Sequence, residues 1–127
     1  MTDLDRAVGL LGPLEAKIMR AVWNGRVGDV FVVGDVHALI PDLAYTTVMT
    51  TVRRLTEKGL LVARAEPGRR AHEYRAAESP EGFLARGSRA EAADVLARYG
   101  DAALAAFAAS LADLTPEQRH RLEELRE

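Results

Sequence analysis

The chain has 127 residues, 48% of them apolar and 28% charged, which suits one ordinary domain or a small domain with an appendage. No apolar run approaches the roughly 20 residues of a membrane span, and the acidic N-terminus lacks the features of a secretory signal, so we expect a cytosolic protein with no membrane partner. The absence of cysteine excludes disulfides, and the three histidines show no usual metal-ligand spacing, so we expect no metal and no cofactor.

The net charge of −2 conceals a gradient along the chain. Residues 53–75 carry seven arginine and lysine residues against three glutamates, whereas residues 77–127 carry six arginines against ten acidic residues. A local basic cluster of this kind is typical of a nucleic-acid-binding face, although a solvated surface can show it too.

Three helices are expected in the first half of the chain. Residues 1–11 show no clear period and suggest an arm or a short turn. Pro13 suits a first helical position, and the apolar stripe that follows it ends at Asn24-Gly25, which predicts a helix over residues 13–24. The β-branched and aromatic run at 30–33 predicts a short strand, and residues 34–40 predict a second helix that ends at Pro41.

The third predicted helix, over residues 44–58 with Gly59 as its stop, carries an unusual number of threonines. Its expected buried stripe consists of Ala44, Val48, Val52 and Leu55, and its other side carries Tyr45, Thr46, Thr47, Thr50, Arg53 and Arg54. Threonine is a mediocre helix former, so the five threonines at 46, 47, 50, 51 and 56 serve another purpose than helix stability. Threonine hydroxyls and methyls suit base edges in the major groove, but some could instead bond back to the preceding turn, with Thr51 facing the core.

A hairpin is expected after the third helix. Residues 60–64 and 72–76 have strand character and flank Pro67-Gly68, a dipeptide that favours a tight turn. A short helix, a three-residue turn, a longer helix and a hairpin together predict a winged helix-turn-helix over residues 1–77. Arg69 and Arg70 lie just beyond the turn, where the hairpin would meet a DNA phosphate or a minor groove, and guanidinium groups bind phosphate through two hydrogen bonds.

The C-terminal part, residues 78–127, reads as three further helices. Ser79-Pro80 begins the first, which extends to about residue 98; the second covers about 102–112; Thr115 and Gln118 form a capping-box pair for the third. Apolar residues recur along all three helices, and fifty residues are too few to bury these apolar faces without a partner. This predicts a helical dimerisation domain. The expected interface residues are Leu96, Leu104, Phe107, Leu111, Leu114, Leu122 and Leu125. The alternative is a helical layer folded back on the same chain.

These features predict a mainly α fold with a small β part, and the chain resembles the family of penicillinase and methicillin-resistance repressors, whose relatives include copper-responsive repressors. The resemblance rests on Leu14-Glu15, Ile18-Met19 and Val22-Trp23, on residues 44–55 with Lys58-Gly59, and on His72 and Tyr74. It is strong over residues 12–76 and architectural beyond them. It implies a homodimeric repressor on palindromic double-stranded operator DNA, with recognition by Thr46, Thr47 and Thr50, and backbone contacts near Tyr45, Arg54 and the hairpin.

The chain departs from the family's two known kinds of switch. The copper-responsive relatives carry C-terminal cysteine pairs, and this chain has no cysteine. In the antibiotic-responsive members, a membrane sensor protease leads to cleavage before a phenylalanine that follows asparagine. The comparable position here is Ala106-Phe107, which keeps the phenylalanine and lacks the asparagine. The resemblance implies a response to β-lactam or cell-envelope stress, with a sensor protease that acts on the C-terminal domain as partner, but the missing asparagine departs from the cleavage pattern of those members.

Two other classes of binding protein remain open from the residues themselves. A small-molecule-responsive winged-helix regulator of another family could use its C-terminal helices to frame a pocket. A protein-interaction winged helix would need an apolar patch on the third helix, where this chain has threonines and arginines. An enzyme is not expected, because no nucleophile with a base, no carboxylate pair and no glycine-rich phosphate loop is found.

Overall fold

The computed structural model describes residues 1–65, 68 and 72–126. In chain order the elements are α1 (Asp3–Gly9), α2 (Pro13–Trp23), α3 (Val33–Leu39), α4 (Tyr45–Glu57), β1 (Leu61–Ala65), β2 (His72–Ala76), α5 (Pro80–Tyr99), α6 (Asp101–Ala112) and α7 (Pro116–Leu125). The chain divides into two compact units, Met1–Arg86 and Gly87–Glu127, and the division falls inside α5. The mainly α fold with a small antiparallel sheet agrees with a winged helix followed by a helical part.

The N-terminal residues form a helix, and the expectation of an arm or turn was wrong. Thr2 Oγ1 accepts the Asp5 N–H at 3.1 Å, and Asp5 Oδ2 accepts the Thr2 N–H at 3.2 Å. This reciprocal cap satisfies donors that would otherwise lack partners at the start of α1. Ala7 and Val8 of α1 are buried, so packing adds to the local cap.

The predicted strand at residues 30–33 was also wrong. Of residues 30–33, only Phe31 takes part in β pairing, through an isolated antiparallel bridge to Tyr74. The Val32 N–H donates to Asp35 Oδ2 at 2.9 Å, and α3 begins at Val33. The Asp35 side chain therefore caps a helix that begins inside a β-branched run. The hydrogen bond of this cap and the buried face of α3 together stabilise the helix more than strand propensity favours a strand.

The core of the first unit lies between α2, α3, α4 and the hairpin. Its largest fully buried side chains are Phe31, Ile18, Met19, Leu55, Leu60, Leu61, Val36, Val48 and Val52. Val48, Val52 and Leu55 confirm the predicted stripe of α4, whereas Ala44 is exposed and is the N-terminal cap, with extended backbone, rather than part of the stripe. At the other end, α4 stops at Glu57 with Lys58 as its cap, and Gly59 follows with a φ of +83°, a conformation that favours glycine.

The hairpin pairs β1 with β2 in antiparallel register, from Leu61 opposite Ala76 to Ala65 opposite His72. The Tyr74 ring stacks on Phe31 with ring centroids 6.1 Å apart, and it packs against the core. The hairpin is thus attached to the segment before α3 through Phe31 and to α4 through the buried Leu60 and Leu61.

The start of α5 is anchored within the first unit. Ser79 Oγ accepts the Gly82 N–H at 3.1 Å, as expected of a cap. The Trp23 indole N–H donates to the Glu78 carbonyl at 3.0 Å, and the Trp23 and Phe83 rings lie 6.0 Å apart. The Arg86 guanidinium pairs with Glu78 at 2.7 Å. These contacts tie α2 to the first turns of α5.

The second unit has almost no core of its own. Among the residues that the structure describes there, Ala103 is the single buried one. The predicted cap of α7 is confirmed, since Thr115 Oγ1 accepts the Gln118 N–H at 3.1 Å and Gln118 Oε1 accepts the Thr115 N–H at 3.0 Å. In the described part of the chain, no helix combines the length and apolar character needed to cross a membrane.

Candidate nucleic-acid interface

The outward side of α4 carries every helical residue that the sequence singled out for DNA contact. Val48, Thr51, Val52 and Leu55 face inward at a spacing of three and four residues, which leaves the opposite side to solvent. The exposed residues there are Tyr45, Thr46, Thr47, Thr50, Arg53 and Arg54. α4 therefore presents a polar and basic surface rather than the apolar patch that a protein-interaction helix would need.

The threonines of α4 are of two kinds. Thr51 Oγ1 donates to the Thr47 carbonyl and Thr56 Oγ1 to the Val52 carbonyl, each at 2.9 Å, so these two bond back to the preceding turn. Thr51 is also buried, as the alternative interpretation proposed. Within the described residues, the hydroxyls of Thr46, Thr47 and Thr50 have no protein hydrogen-bond partner. These three hydroxyls are available to an external ligand.

An open groove of about 430 Å³ runs between the start of α2 and the exposed face of α4. One wall consists of residues 12–15, and the other wall consists of Thr46, Thr47, Thr50, Thr51 and Arg54. Helix N-termini and arginine side chains both attract phosphate. The wall formed by α2, however, also carries a carboxylate.

That carboxylate belongs to Glu15, whose side chain is 9% exposed. Glu15 Oε1 accepts the Gly12 N–H at 3.1 Å, and both carboxylate oxygens lie 2.9 Å from Lys58 Nζ. Burial alone raises the pKa of Glu15, but the hydrogen bonds from Lys58 and Gly12 and the charges of Lys58 and Arg54 outweigh it and lower that pKa from its usual value. Glu15 is therefore an anion at neutral pH.

The turn between α3 and α4 is held by a histidine. His37 Nε2 lies 2.8 Å from the Leu43 carbonyl, which can only accept, so His37 is the donor. The His37 ring also meets the Tyr45 ring edge-on, with centroids 5.6 Å apart and an interplanar angle of 86°. Tyr45 keeps 48% of its surface exposed. His37 thus supports both the turn and the first residue of α4.

Sequence reasoning missed the Glu15–Lys58 pair and His37, which border this surface. Glu15 stands three residues after Gly12 and before an apolar run, which is the spacing of a helix-start cap and could have been noticed. The Glu15–Lys58 pair spans 43 residues, and no local pattern indicates it. The role of His37 depends on a turn whose geometry only the fold defines.

The structure describes both strands of the hairpin, β1 and β2. Arg64 and Arg75 are exposed on β1 and β2. The two arginines predicted to touch phosphate, Arg69 and Arg70, lie outside the described residues. Their assignment stays a prediction.

The residues predicted to pair two chains lie mainly on the surface of the second unit. Leu104 is 56% exposed and Leu125 80% exposed; Leu96, Phe107 and Leu111 are exposed as well, while Leu114 and Leu122 are half-buried. The Ala106-Phe107 peptide bond lies within α6, and the Ala106 carbonyl accepts the Ser110 hydroxyl at 2.9 Å. A protease that binds extended substrates would have to unwind α6 to reach this bond.

One family comparison covers nearly the whole chain. The family described as penicillinase repressor matches residues 11–127, which include the complete α2 to α4 region, the hairpin and the second unit. No curated protein matches the chain significantly. From the extent of the family match, the chain belongs to the penicillinase repressor family, whose members are DNA-binding transcriptional repressors and not enzymes.

Proposed function

We propose that two copies of this chain bind a palindromic operator, with the α4 of each copy in the major groove of one half-site. Thr46, Thr47 and Thr50 read base edges, and Tyr45, Arg53 and Arg54 contact the adjacent backbone. Two-fold symmetry in the protein requires an inverted repeat whose half-sites are about 10 bp apart, or a multiple of that distance. Repression follows when the bound dimer occludes a promoter, so the proposed site of action is the cytoplasm.

The observation that carries this proposal is that the threonines of α4 form two groups, one exposed and one bonded within the helix. Three hydroxyls are exposed on the outward side, between a tyrosine and two arginines, while Thr51 and Thr56 use theirs within the helix. Unpartnered hydroxyls on an exposed helix contribute little to stability, but they suit the donors and acceptors of the major groove.

The exposed apolar residues of the second unit support the homodimer. Leucines and a phenylalanine recur along α5 to α7 with little burial, and one module of this size binds DNA weakly by itself. Linking two modules raises the effective concentration of the second at its half-site, so the affinities combine. In this proposal residues 1–77 bind DNA and residues 78–127 pair the chains.

Selection of genomic fragments by the purified full-length protein tests the proposal. We expect the recovered fragments to share an inverted repeat upstream of a small set of genes. A variant with Thr46→Val, Thr47→Val and Thr50→Val, which keeps the shape of the helix, should lose that enrichment. Recovery of fragments without a common repeat would contradict operator recognition.

The proposed release mechanism is cleavage at Ala106-Phe107 by a sensor protease in response to β-lactams or envelope stress. Phe107 is exposed on α6 of the single chain but would be covered in the proposed dimer, so cleavage requires the chains to separate there and the helix to open. Intact-mass measurement of the repressor from its host, before and after β-lactam treatment, should reveal a fragment ending at Ala106. An intact repressor during full induction of its target genes would favour release by a small molecule instead.

A further inference from the structure

A negative charge beside a DNA-binding face repels the DNA phosphates, so the position of the Glu15 carboxylate requires an explanation. Glu15 stands in the wall of the groove opposite Thr46, Thr50 and Arg54, and its side chain is 9% exposed. Oε1 accepts the Gly12 N–H at 3.1 Å and the Lys58 ammonium at 2.9 Å, while Oε2 accepts no hydrogen bond within the described residues but lies 2.9 Å from Lys58 Nζ. The carboxylate therefore holds a specific cation that belongs to the end of α4.

Lys58 does not depend on Glu15 to stabilise its charge. Its side chain is 49% exposed, so water would solvate the ammonium if the carboxylate were absent. Lys58 directly follows α4, close in sequence to Arg53 and Arg54, and the end of a recognition helix is a common place for backbone contacts. A lysine that is free to turn there would add a phosphate contact on any DNA sequence.

We propose that Glu15 is a positioning residue that acts through Lys58: it holds the ammonium off the phosphates and so limits the sequence-independent part of the affinity for DNA. Recognition then depends more on the α4 threonines, and the repressor releases DNA more readily at physiological salt. The inference rests on the proposed function, because it assumes that the outward side of α4 faces the duplex.

The salt dependence of DNA binding tests this role. Full-length protein is titrated with a scrambled duplex and with a selected operator duplex at several salt concentrations, by fluorescence anisotropy. Glu15→Gln keeps the acceptor for Gly12 and removes the charge that holds Lys58. We expect its slope of log affinity against log salt to steepen by about one, with roughly fivefold tighter binding of both duplexes at 0.1 M salt.

Two variants show whether the effect passes through Lys58. The double variant Glu15→Gln, Lys58→Met should return to the wild-type slope, and Lys58→Met alone should leave that slope unchanged. A flatter slope in Lys58→Met would mean that Lys58 already contacts phosphate in the wild type, and this would overturn the proposal. This single variant also keeps the proposal testable if Glu15→Gln does not fold.

Glu91→Gln is the matched control, because it removes one negative charge from an exposed position of α5. Its slope should equal that of the wild type. A Glu15→Gln protein with a lower melting temperature and an unchanged slope would show that Glu15 has only a structural role. Failure of the wild type to bind any duplex would instead refute the proposed function, so the two failures are distinguishable.

Discussion

At the scale of single residues, the threonines of α4 form two groups that differ in the partners of their hydroxyls. Thr51 and Thr56 satisfy their hydroxyls on carbonyls one turn earlier, whereas Thr46, Thr47 and Thr50 present theirs to solvent. Substitution of a back-bonded threonine should therefore affect the helix, and substitution of an outward one should affect the ligand. This contrast supplies matched variants on one helix.

Thr50→Val tests base reading, because valine keeps the branched shape and removes the hydroxyl. We expect operator discrimination to fall by roughly 1 to 3 kcal/mol if that hydroxyl bonds a base. Thr56→Val, at a half-buried and back-bonded position, should leave discrimination unchanged. Comparison of affinities for operator and scrambled duplexes measures both variants, and an unchanged ratio for Thr50→Val would remove it from the recognition set.

Arg69→Ala combined with Arg70→Ala tests the hairpin tip. Guanidinium contacts to phosphate carry affinity without sequence information, so binding should weaken alike on operator and scrambled DNA. The slope of log affinity against log salt should flatten by up to about two. If the double variant retains the wild-type slope, the tip does not contact phosphate.

The ionised carboxylate of Glu15 predicts a specific acid sensitivity. Its pKa is lowered from 4.5, so its contribution to folding is fully present above that pH and is lost as the pH falls through the lower folded value. The difference in unfolding free energy between wild type and Glu15→Gln should therefore narrow below about pH 4.5. Asp5, whose pKa is lowered by hydrogen bonds from Thr2 and Arg20, affects both proteins equally. Urea unfolding at a series of pH values measures the difference in unfolding free energy between the two proteins. A difference that stays constant with pH would contradict the lowered pKa of Glu15.

At the scale of elements, α5 joins an anchored segment to an exposed one. Trp23, Glu78, Phe83 and Arg86 hold its first turns in the first unit, and none of its residues is buried. The division between the units falls at Gly87 within this helix. A Cβ at Gly87 would meet nothing within 4 Å, so packing does not require glycine there.

Gly87→Ala should therefore stabilise α5. Alanine loses less backbone entropy than glycine on helix formation, and we expect a gain of roughly 0.5 to 1 kcal/mol. Gly82→Ala is the matched comparison: its Cβ would lie 3.3 Å from the Glu78 Cβ, so the gain should be smaller. Thermal unfolding followed by circular dichroism, at one fixed protein concentration, compares the two variants. A lower melting temperature for Gly87→Ala would disprove the expectation.

At the scale of the whole molecule, the second unit lacks the buried side chains that stabilise a domain. Its leucines and Phe107 are mostly at the surface, and helices of this length need apolar packing to persist in water. A second copy of the chain offers that packing in the proposed dimer. Dimer formation and DNA affinity should therefore be lost together.

Phe107→Asp tests this coupling, because a carboxylate at a buried interface would be costly to desolvate. Sedimentation should show the monomer mass, and operator affinity should fall on the order of a hundredfold as the linkage of the two modules is lost. Ala109→Asp places the same charge elsewhere on exposed α6 and should remain dimeric. A dimeric Phe107→Asp protein would exclude Phe107 from the interface.

Local signals in the sequence determined most helices, the α4 face and the caps at Ser79 and Thr115, because periodicity and capping act between residues a few positions apart. The cap at Thr2 was equally local and was overlooked. Tertiary structure decided that Phe31 forms only a bridge and that Glu15 meets Lys58, 43 residues away. It also decided how little of the second unit is buried. Such outcomes depend on which distant segments pack together, and no periodicity or cap encodes that.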